Sequence, residues 1–438
     1  MKFITRNAIA KCALVLIASF SLFQAANSQS YDGIEKSRMK SMLGIVKDEV
    51  KKNYYDSTYH GIDLDGRFKL AEEKLSKATS TGQALGIIAQ ALIDFNDSHL
   101  FLVPPSTNLA VEYGWRLRAI GDKVLITDVK PGSDAEKKGV KAGDEVLGIS
   151  GFRPSRKELW KVLYYYNAIS KRDRLVLRVL SPGAETPRDI EVMSEMKRLP
   201  RAITFQTYFR MFDDFYEEEN DKHRFFKVGG ITIWRMPGFD FDPSQVNSLM
   251  DRVKSGNSLI LDLRGNGGGY VKTLERLAGY FFDKDMKIAD LKGRKDMDPM
   301  MLKTQGKDVY HGKLVVLTDS GSGSASEIFA RLVQLEKRGI VVGDTSAGAV
   351  MQSRSIDREM GTNSIVPFAI SITNADVFMS DNKSIEHIGV IPDEQVIPTG
   401  ADIAAGRDPA MAKAVELLGG KISAEEAGSF YKYYWKKD

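Results

Sequence analysis

Two kinds of hydrophobic pattern follow one another along this chain. In the first hundred residues, apolar side chains recur every three or four positions, as at 39–50 and 85–92, and this spacing predicts amphipathic helices. From about residue 225 onward, short unbroken apolar runs alternate with helical stretches. The runs are at 230–234, 258–263, 314–317 and 339–343, and the helical stretches are at 243–254, 271–282 and 327–337. This alternation predicts an α/β layer that contains much parallel sheet.

The stretch between these two patterns, residues 110–196, consists of short predicted strands with turn signals. A strand at 124–129 is followed by a K-P-G-S turn, a short helix and the A-G-D turn at 142–144. This order resembles a PDZ domain, in which an extended peptide is bound as an added strand beside a helix. The resemblance implies that residues 156–165 form the helix along the groove. It also implies that Tyr113, Gly114 and Trp115 form the carboxylate-binding loop.

That loop departs from the usual G-L-G-F-like form, so the resemblance does not imply a strict preference for a free C-terminus. A PDZ module that only packs against the rest of the chain and regulates it is the alternative interpretation. Together the patterns predict an α/β multidomain protein with a helical cap, an inserted PDZ domain and an α/β core. The predicted segments are a signal peptide at 1–28, a helical domain at 31–105, the PDZ domain at 110–196, the core at 197–420 and a tail at 421–438.

The N-terminal segment is typical of a secretory signal peptide. Lys2, Arg6 and Lys11 precede an uncharged apolar run at 12–23, which is too short to span a bilayer comfortably. Small residues follow, and Ala26-Asn27-Ser28 offers a cleavage site. We therefore expect export to the periplasm, the cell surface or the medium, with no stable membrane span after cleavage. An uncleaved anchor is the alternative.

Composition excludes several classes of function. The 62 basic and 58 acidic residues leave a formal charge of +4, which is too small and too dispersed to predict a nucleic-acid partner. The single cysteine, Cys12, lies inside the predicted signal peptide, so the mature chain would have neither disulfides nor a thiol nucleophile. The sequence contains no H-E-x-x-H motif or clustered ligand pattern, and we expect no metal and no cofactor.

The strongest candidate for catalytic chemistry is Ser324. It stands between the apolar run 314–317 and the helical stretch that begins at Glu327. A strand that turns through small residues into a helix presents a hydroxyl at the helix N-terminus, where backbone N–H groups favour a developing oxyanion. Such a serine needs a base, and the base needs an orienting group. His99 is the best candidate for the base, and Glu386 is a candidate for the orienting group.

A glycine run at 265–269 follows the strand 258–263 and opens a helix. A dinucleotide fingerprint would require glycine where Tyr270 stands, so we instead assign the run to anion binding through backbone N–H groups. The motifs D-L-R-G-N-G-G-G and G-S-A-S-E resemble the carboxyl-terminal processing peptidase and tricorn-core superfamily of serine peptidases, over nearly the whole mature chain. The resemblance implies a crotonase-like core with Ser324 as nucleophile. It further implies an oxyanion hole formed by the N–H groups of Ala325 and of Gly267 or Gly268.

One departure from that superfamily concerns the base. Processing peptidases usually pair the serine with a lysine after the next strand, where this chain has Ala349, and no lysine occurs between Arg338 and Asn382. The tricorn-type branch instead uses a Ser-His pair from the N-terminal segment and a glutamate near the C-terminus. By that resemblance His99 removes the Ser324 proton, while Ser98 and Glu386 hold and polarise the imidazole.

Alternatives remain open at this stage. His387 is a second candidate for the base, Glu386 could only cap a loop, and Glu327 could only counter the helix dipole. The rival hydroxyl groups belong to Ser320, Ser322 and Ser326. The predicted function is that of an exported serine endopeptidase that cleaves unfolded or tail-exposed polypeptides. The alternative is a pseudopeptidase that binds peptides or other ligands without turnover, and the oligomeric state is open.

Overall fold

The computed structural model describes residues 31, 33–105, 109–198, 222–361 and 365–435. The predicted signal peptide lies outside the described residues, as do the last three residues of the tail. Within the described ranges, no helix combines the length and the apolar character that crossing a membrane requires.

The N-terminal segment consists of three helices and one strand. They are α1 (Gly33–Asn53), α2 (Leu64–Ser76), α3 (Thr81–Ile93) and β1 (Phe101–Val103). Ser80 caps α3, because its side chain accepts a hydrogen bond from the N–H of Gln83. The prediction of helix throughout this segment is wrong at its end, since β1 pairs with a strand that lies about 270 residues further along the chain.

The next segment forms the inserted module, residues 109–198. Its strands are β2 (Leu109–Glu112), β3 (Trp115–Ile120), β4 (Lys123–Val129), β5 (Glu145–Ile149), β6 (Arg174–Leu180), β7 (Arg188–Met193) and β8 (Glu195–Arg198). Its helices are α4 (Asp134–Lys137) and α5 (Leu159–Tyr164). Strands β3 to β7 form one antiparallel sheet in chain order, while β2 and β8 pair with each other at the base of the module.

The six-stranded core sheet holds the most deeply buried part of the chain. Its strands, in spatial order, are β18 (Glu394–Gln395), β15 (Ile340–Gly343), β14 (Lys313–Thr318), β11 (Ser258–Asp262), β10 (Ile231–Arg235) and β9 (Arg224–Val228). All neighbours are parallel except β9 and β10. The apolar runs that predicted these strands are unbroken because both faces of the sheet are covered.

Helices cover the two faces of the core sheet. They are α6 (Gln245–Asp251), α7 (Val271–Ala278), α8 (Ala325–Leu335), α10 (Pro409–Leu417) and α11 (Ala424–Gly428). The short helix α9 (Gly400–Ala404) instead contacts strand β4 of the inserted module. On β11, Leu259 and Leu261 pack into the hydrophobic cluster beneath α6, α7 and α8, whereas Ile260 packs against α10 on the opposite face. The two-residue alternation of a strand divides one apolar run between two cores.

A second sheet was not predicted from the sequence. It contains β12 (Met286–Lys292), β13 (Met300–Leu302), β16 (Met351–Met360) and β17 (Val366–Met379), and β1 joins it. Phe368 and Ile370 of β17 share a core with Met42 and Val46 of α1. The N-terminal helices therefore pack against this sheet and form one body with it, which brings residues near 99 close to residues near 386.

The inserted module contacts the loops at the carboxyl ends of the core strands. Arg156 donates to an Asp344 carboxylate oxygen at 2.9 Å, and the N–H of Gly121 donates to the same oxygen at 2.8 Å. The hydroxyl of Ser320 donates to the carbonyl oxygen of Ala119 at 2.6 Å. These loops follow β14 and β15, so the module rests directly beside the segment that leads to Ser324.

The aromatic tail crosses from the core sheet to the inserted module. Phe430 stacks on Phe226 of β9 with ring centroids 5.6 Å apart. Further along, the guanidinium of Arg116 on β3 lies 4.0 Å from the ring centroid of Tyr433. The tail thus contacts both the edge strand of the core sheet and the first strand of the module sheet.

Candidate active site

Ser324 occupies a strained turn between β14 and α8. Its φ of 52° lies in the left-handed region that non-glycine residues rarely adopt. Its N–H points at two acceptors, the Ala349 carbonyl oxygen at 2.9 Å and the carboxylate of Glu327 at 3.0 Å. Strain of this kind persists only where surrounding contacts fix the backbone, and it is found often at catalytic nucleophiles.

The glycine run lies against this turn. A Cβ atom on Gly268 would lie 2.6 Å from the Cβ of Ser324 and 3.0 Å from the backbone nitrogen of Ala325. Only glycine allows this approach, and Gly268 also has a φ of +103°. The predicted oxyanion donors are therefore neighbours of the serine in the folded chain.

The two glycines proposed as donors differ in their hydrogen bonding. The N–H of Gly268 donates to the side-chain oxygen of Asn266 at 3.0 Å. The N–H of Gly267 has no acceptor among the described residues. Ala325 is the first residue of α8, and the N–H of such a residue has no partner within its own helix. Gly267 and Ala325 are consequently the better pair of donors for an oxyanion.

Ser98, His99 and Glu386 form a continuous relay of hydrogen bonds. The Ser98 hydroxyl oxygen lies 2.8 Å from Nδ1 of His99 and donates to Oε2 of Glu386 at 3.1 Å. The N–H of Ser98 donates to the other carboxylate oxygen, also at 3.1 Å. Since the Ser98 proton is directed at the carboxylate, a lone pair of the same oxygen is left to accept the Nδ1 proton of His99.

Burial changes the pKa of both ionisable groups in this relay. His99 is only 5% exposed, and burial lowers its pKa to about 4, while the charge of Asp97 acts in the opposite direction. Burial raises the pKa of Glu386, and hydrogen bonds from Val350 and Ser98 counter that rise. The imidazole is therefore neutral at neutral pH, as a general base must be.

A single peptide unit joins this relay to Ser324. The carbonyl oxygen of Ala349 accepts the N–H of Ser324, and the N–H of Val350 donates to Oε2 of Glu386 at 2.6 Å. Both groups belong to the peptide bond between Ala349 and Val350. The backbone of Ser324 and the side chains of Ser98, His99 and Glu386 thus belong to one hydrogen-bonded assembly.

Glu327 contributes more to the site than the sequence indicated. It is fully buried and accepts the Ser346 hydroxyl at 2.5 Å and the N–H groups of Gly348 at 2.7 Å and Ala349 at 2.9 Å, besides that of Ser324. Burial raises its pKa to about 7. The Ser-x-x-Glu spacing of a capping box is the sequence signal that could have identified this role.

The rival serines make other hydrogen bonds. The Ser322 hydroxyl donates to the carbonyl oxygen of Leu263 at 2.8 Å, and that of Ser326 donates to Asn266 at 2.7 Å. Both side chains are fully buried. Ser320 donates to Ala119 of the inserted module, as described above. These three hydroxyl groups hold neighbouring segments together.

His387 lies on the other side of Glu386 from His99. Its Nε2 is 3.3 Å from the side-chain nitrogen of Asn96 and 3.6 Å from Oε1 of Glu386. The side chain is 49% exposed. Through these contacts His387 lies against the loop that carries Ser98 and His99.

The residues predicted to bind a peptide carboxylate lie in the inserted module, outside this assembly. Tyr113 is buried, and its hydroxyl donates to the carbonyl oxygen of Tyr166 at 3.4 Å and accepts the N–H of Arg172 at 3.2 Å. Gly114 has a φ of +77°, and Trp115 begins β3 with its ring stacked on Tyr113. The Tyr113 side chain therefore packs within the module, and the Gly114 carbonyl oxygen accepts the N–H of Lys130 at 2.9 Å.

The amino-acid sequence matches one family model and several known proteins. Residues 227–396 match the sequence model described as "Peptidase family S41". The "Tail-specific protease" of Haemophilus influenzae is 26% identical over 315 residues, which cover 67% of this chain and 43% of the relative. The "C-terminal processing peptidase, chloroplastic" of Tetradesmus obliquus is 26% identical over 371 residues, which cover 80% of this chain and 75% of the relative. This chain thus spans less than half the length of the Haemophilus protein.

Two solved structures support the fold. "Structure of mature CPAF complexed with lactacystin" superposes with a TM-score of 0.62 at 17% identity and covers 88% of this chain and 98% of its own. "Photosystem II D1 C-terminal processing protease" gives a TM-score of 0.52 at 19% identity and covers 87% and 97%. At these identities the likeness concerns the fold.

The matched family model and the named relatives are peptidases, and the fold is shared with the two solved structures. The match to the peptidase family S41 model covers residues 227–396, and the named relatives include a C-terminal processing peptidase. The resemblance indicated by the two strand-end motifs is thereby confirmed.

Proposed function

We propose that the chain hydrolyses peptide bonds in unfolded or tail-exposed polypeptides, with Ser324 as nucleophile and His99 as general base. The observation that carries the proposal is the relay from His99 through Ser98 to Glu386, joined to Ser324 by the 349–350 peptide unit. A neutral imidazole whose Nδ1 proton is fixed by a second group is the arrangement that activates a serine hydroxyl.

The proposed reaction has two halves. In the first, Nε2 of His99 removes the Ser324 proton as the hydroxyl oxygen attacks the scissile carbonyl carbon, and the oxyanion accepts the N–H groups of Gly267 and Ala325. The imidazolium then gives its proton to the departing amine, and an ester on Ser324 remains. In the second half, His99 removes a proton from water, the hydroxide attacks the ester, and the serine regains its proton.

We propose that the inserted module is a PDZ domain that recruits the polypeptide. Strand β3 lies at the edge of its five-stranded sheet, and an edge strand can accept an extended peptide by main-chain hydrogen bonds. The likeness of the chain to tail-specific and processing proteases supports a substrate with an accessible tail. Fluorescence polarisation with a labelled apolar tail peptide tests this part, and equal binding by the same peptide fused at its carboxyl end would refute a preference for free tails.

We also propose export through the N-terminal segment 1–28. The basic residues, the short apolar run and the small residues at 26–28 support it. Amino-terminal sequencing of the protein recovered from its native cells would give a chain that begins near residue 29. Recovery of the chain with Met1 intact would contradict cleavage.

The test of the catalytic proposal is hydrolysis of a reduced and carboxymethylated protein, followed by the appearance of new amino termini. The wild-type chain should cleave it, whereas Ser324→Ala should not, and Ser320→Ala is the matched control for loss of a neighbouring hydroxyl. Equal turnover by the wild type and Ser324→Ala would refute the assignment of the nucleophile. Absence of turnover in both, with labelled peptide still bound, would favour the pseudopeptidase alternative.

A further inference from the structure

Asp97 is a second buried carboxylate beside the proposed base. It is 5% exposed, and its Oδ1 accepts the N–H of His99 at 2.9 Å and the hydroxyl of Thr373 at 2.6 Å. Its other oxygen accepts the hydroxyl of Tyr54 at 2.9 Å. The donors come from three separate parts of the fold: the turn itself, strand β17 and the residue that follows α1.

All three donors are neutral groups. Within the described ranges, no lysine or arginine forms an ion pair with Asp97. Hydrogen bonds from neutral donors hold a carboxylate in place without cancelling its charge. Because Asp97 is buried, water screens the electrostatic field of its carboxylate only weakly, and this field acts on neighbouring groups.

His99 is the group on which this field matters most. Its Nδ1 is bonded to a neutral hydroxyl, that of Ser98, and Glu386 is one hydrogen bond further away. When His99 takes the Ser324 proton, the positive charge of the imidazolium reaches Glu386 only through the neutral hydroxyl of Ser98. In the more familiar arrangement a carboxylate bonds directly to Nδ1 and stabilises the imidazolium that forms.

We propose that Asp97 is a positioning residue that fixes the backbone of His99 and supplies the countercharge for its imidazolium. The proposal rests on the catalytic role of His99 given above. It assigns the two duties of a single orienting carboxylate to two residues: Glu386 fixes the tautomer through Ser98, and Asp97 provides the nearby negative charge.

Other ionisable groups around the imidazole complete the electrostatic environment. Glu386 approaches from the loop after β17 and His387 stands next to it, while Tyr54 and Tyr55 approach from the end of α1. The charge of Asp97 raises the pKa of Glu386 as well as that of His99. Removing the charge should therefore lower both pKa values, and a readout specific to His99 is needed.

The chain is suited to such a readout because it contains five histidines, so the imidazole resonances can be assigned one by one. The variant Asp97→Asn retains the shape of the side chain: its oxygen can still accept from His99 and Thr373, and its amide can donate to Tyr54. Only the charge is lost. Thr373→Val and Tyr54→Phe are matched controls, because each removes one donor and leaves the charge.

The experiment is an NMR titration of the His99 ring in full-length protein carrying Ser324→Ala, with and without each second change. We expect the pKa of His99 to fall by about 1 pH unit in Asp97→Asn, in line with loss of a nearby opposite charge, and to change little in the two controls. With Ser324 restored, Asp97→Asn should lose about ten-fold in kcat at pH 8 with KM nearly unchanged.

An unchanged His99 pKa in a folded Asp97→Asn protein would overturn the proposal, as would an equal shift in the controls. Should Asp97→Asn fail to fold, Asp97→Glu retains the charge and disturbs only the turn, so its His99 pKa should stay near that of the wild type. A lowered value there would overturn the proposal. The titration does not depend on turnover, so an inactive wild type would refute the catalytic assignment and leave this test intact.

Discussion

Replacing Glu327 with glutamine removes the buried charge that holds the nucleophile turn. The carboxylate accepts four donors, from Ser324, Ser346, Gly348 and Ala349. A glutamine has one acceptor oxygen, and its amide group would face donors. Each buried donor left unpaired costs about 1–3 kcal/mol, and the relief of a buried charge acts against this loss at pH values where the wild-type carboxyl group is ionised.

The size of that relief follows from the pKa of Glu327. Burial raises this pKa to about 7 from an ordinary value of 4.5, which corresponds to a contribution of about 3 kcal/mol. Because the folded-state value is the higher one, the contribution is fully present below pH 4.5 and is lost as the pH rises through 7. Relative to Glu327→Gln, the wild type should therefore lose about 3 kcal/mol between pH 4.5 and pH 8.

Urea unfolding of both proteins, at half-unit steps of pH from 4.5 to 8, measures this difference directly. Glu336→Gln is the matched control, since Glu336 follows the same helix and is exposed. The free energy of unfolding of the control should follow that of the wild type at every pH. Parallel curves for the wild type and Glu327→Gln would refute the buried, high-pKa carboxylate.

Three further changes test other parts of the site. His387→Ala should retain most hydrolytic activity in the protein-cleavage assay, because His387 is half exposed and bonds to Asn96. A loss of activity as large as that in His99→Ala would contradict the assignment of His99 as the only general base. Gly268→Ala should abolish reaction of Ser324 with an active-site probe, because the new methyl group would lie 2.6 Å from the serine Cβ; normal labelling would contradict the close approach. Tyr433→Ala should speed hydrogen exchange in strand β3, because it removes the contact between the Tyr433 ring and Arg116. Unchanged exchange would show that the tail does not stabilise the module.

The core of the fold could be predicted because its signals are local. The runs at 258–263 and 314–317 are apolar throughout, since alternate residues such as Leu259 and Ile260 enter cores on opposite faces of the sheet. The cap of α3 is local in the same sense, because the side chain of Ser80 accepts from Gln83, three residues away. Such features need no knowledge of distant segments.

The second sheet and the electrostatics of the site could not be predicted in this way. Strand β17 pairs with β1 across about 270 residues of chain, and only that pairing brings Thr373 to Asp97. An acid in the first turn of a helix is usually solvated, and Glu327 is buried only because the 346–349 loop folds over it. Motif resemblance identified Ser98, His99 and Glu386, but only folding supplied the peptide unit that connects them to Ser324.

The most direct test of the central claim is the labelling of Ser324 by a fluorophosphonate, a probe that reacts with activated serines. The full chain and its His99→Ala variant would be treated in parallel, and the adduct located by peptide mapping. The account predicts an adduct on Ser324 that forms at least about 100-fold more slowly without His99, the usual contribution of a general base. Labelling at equal rates in the two proteins, or an adduct confined to another residue, would contradict it.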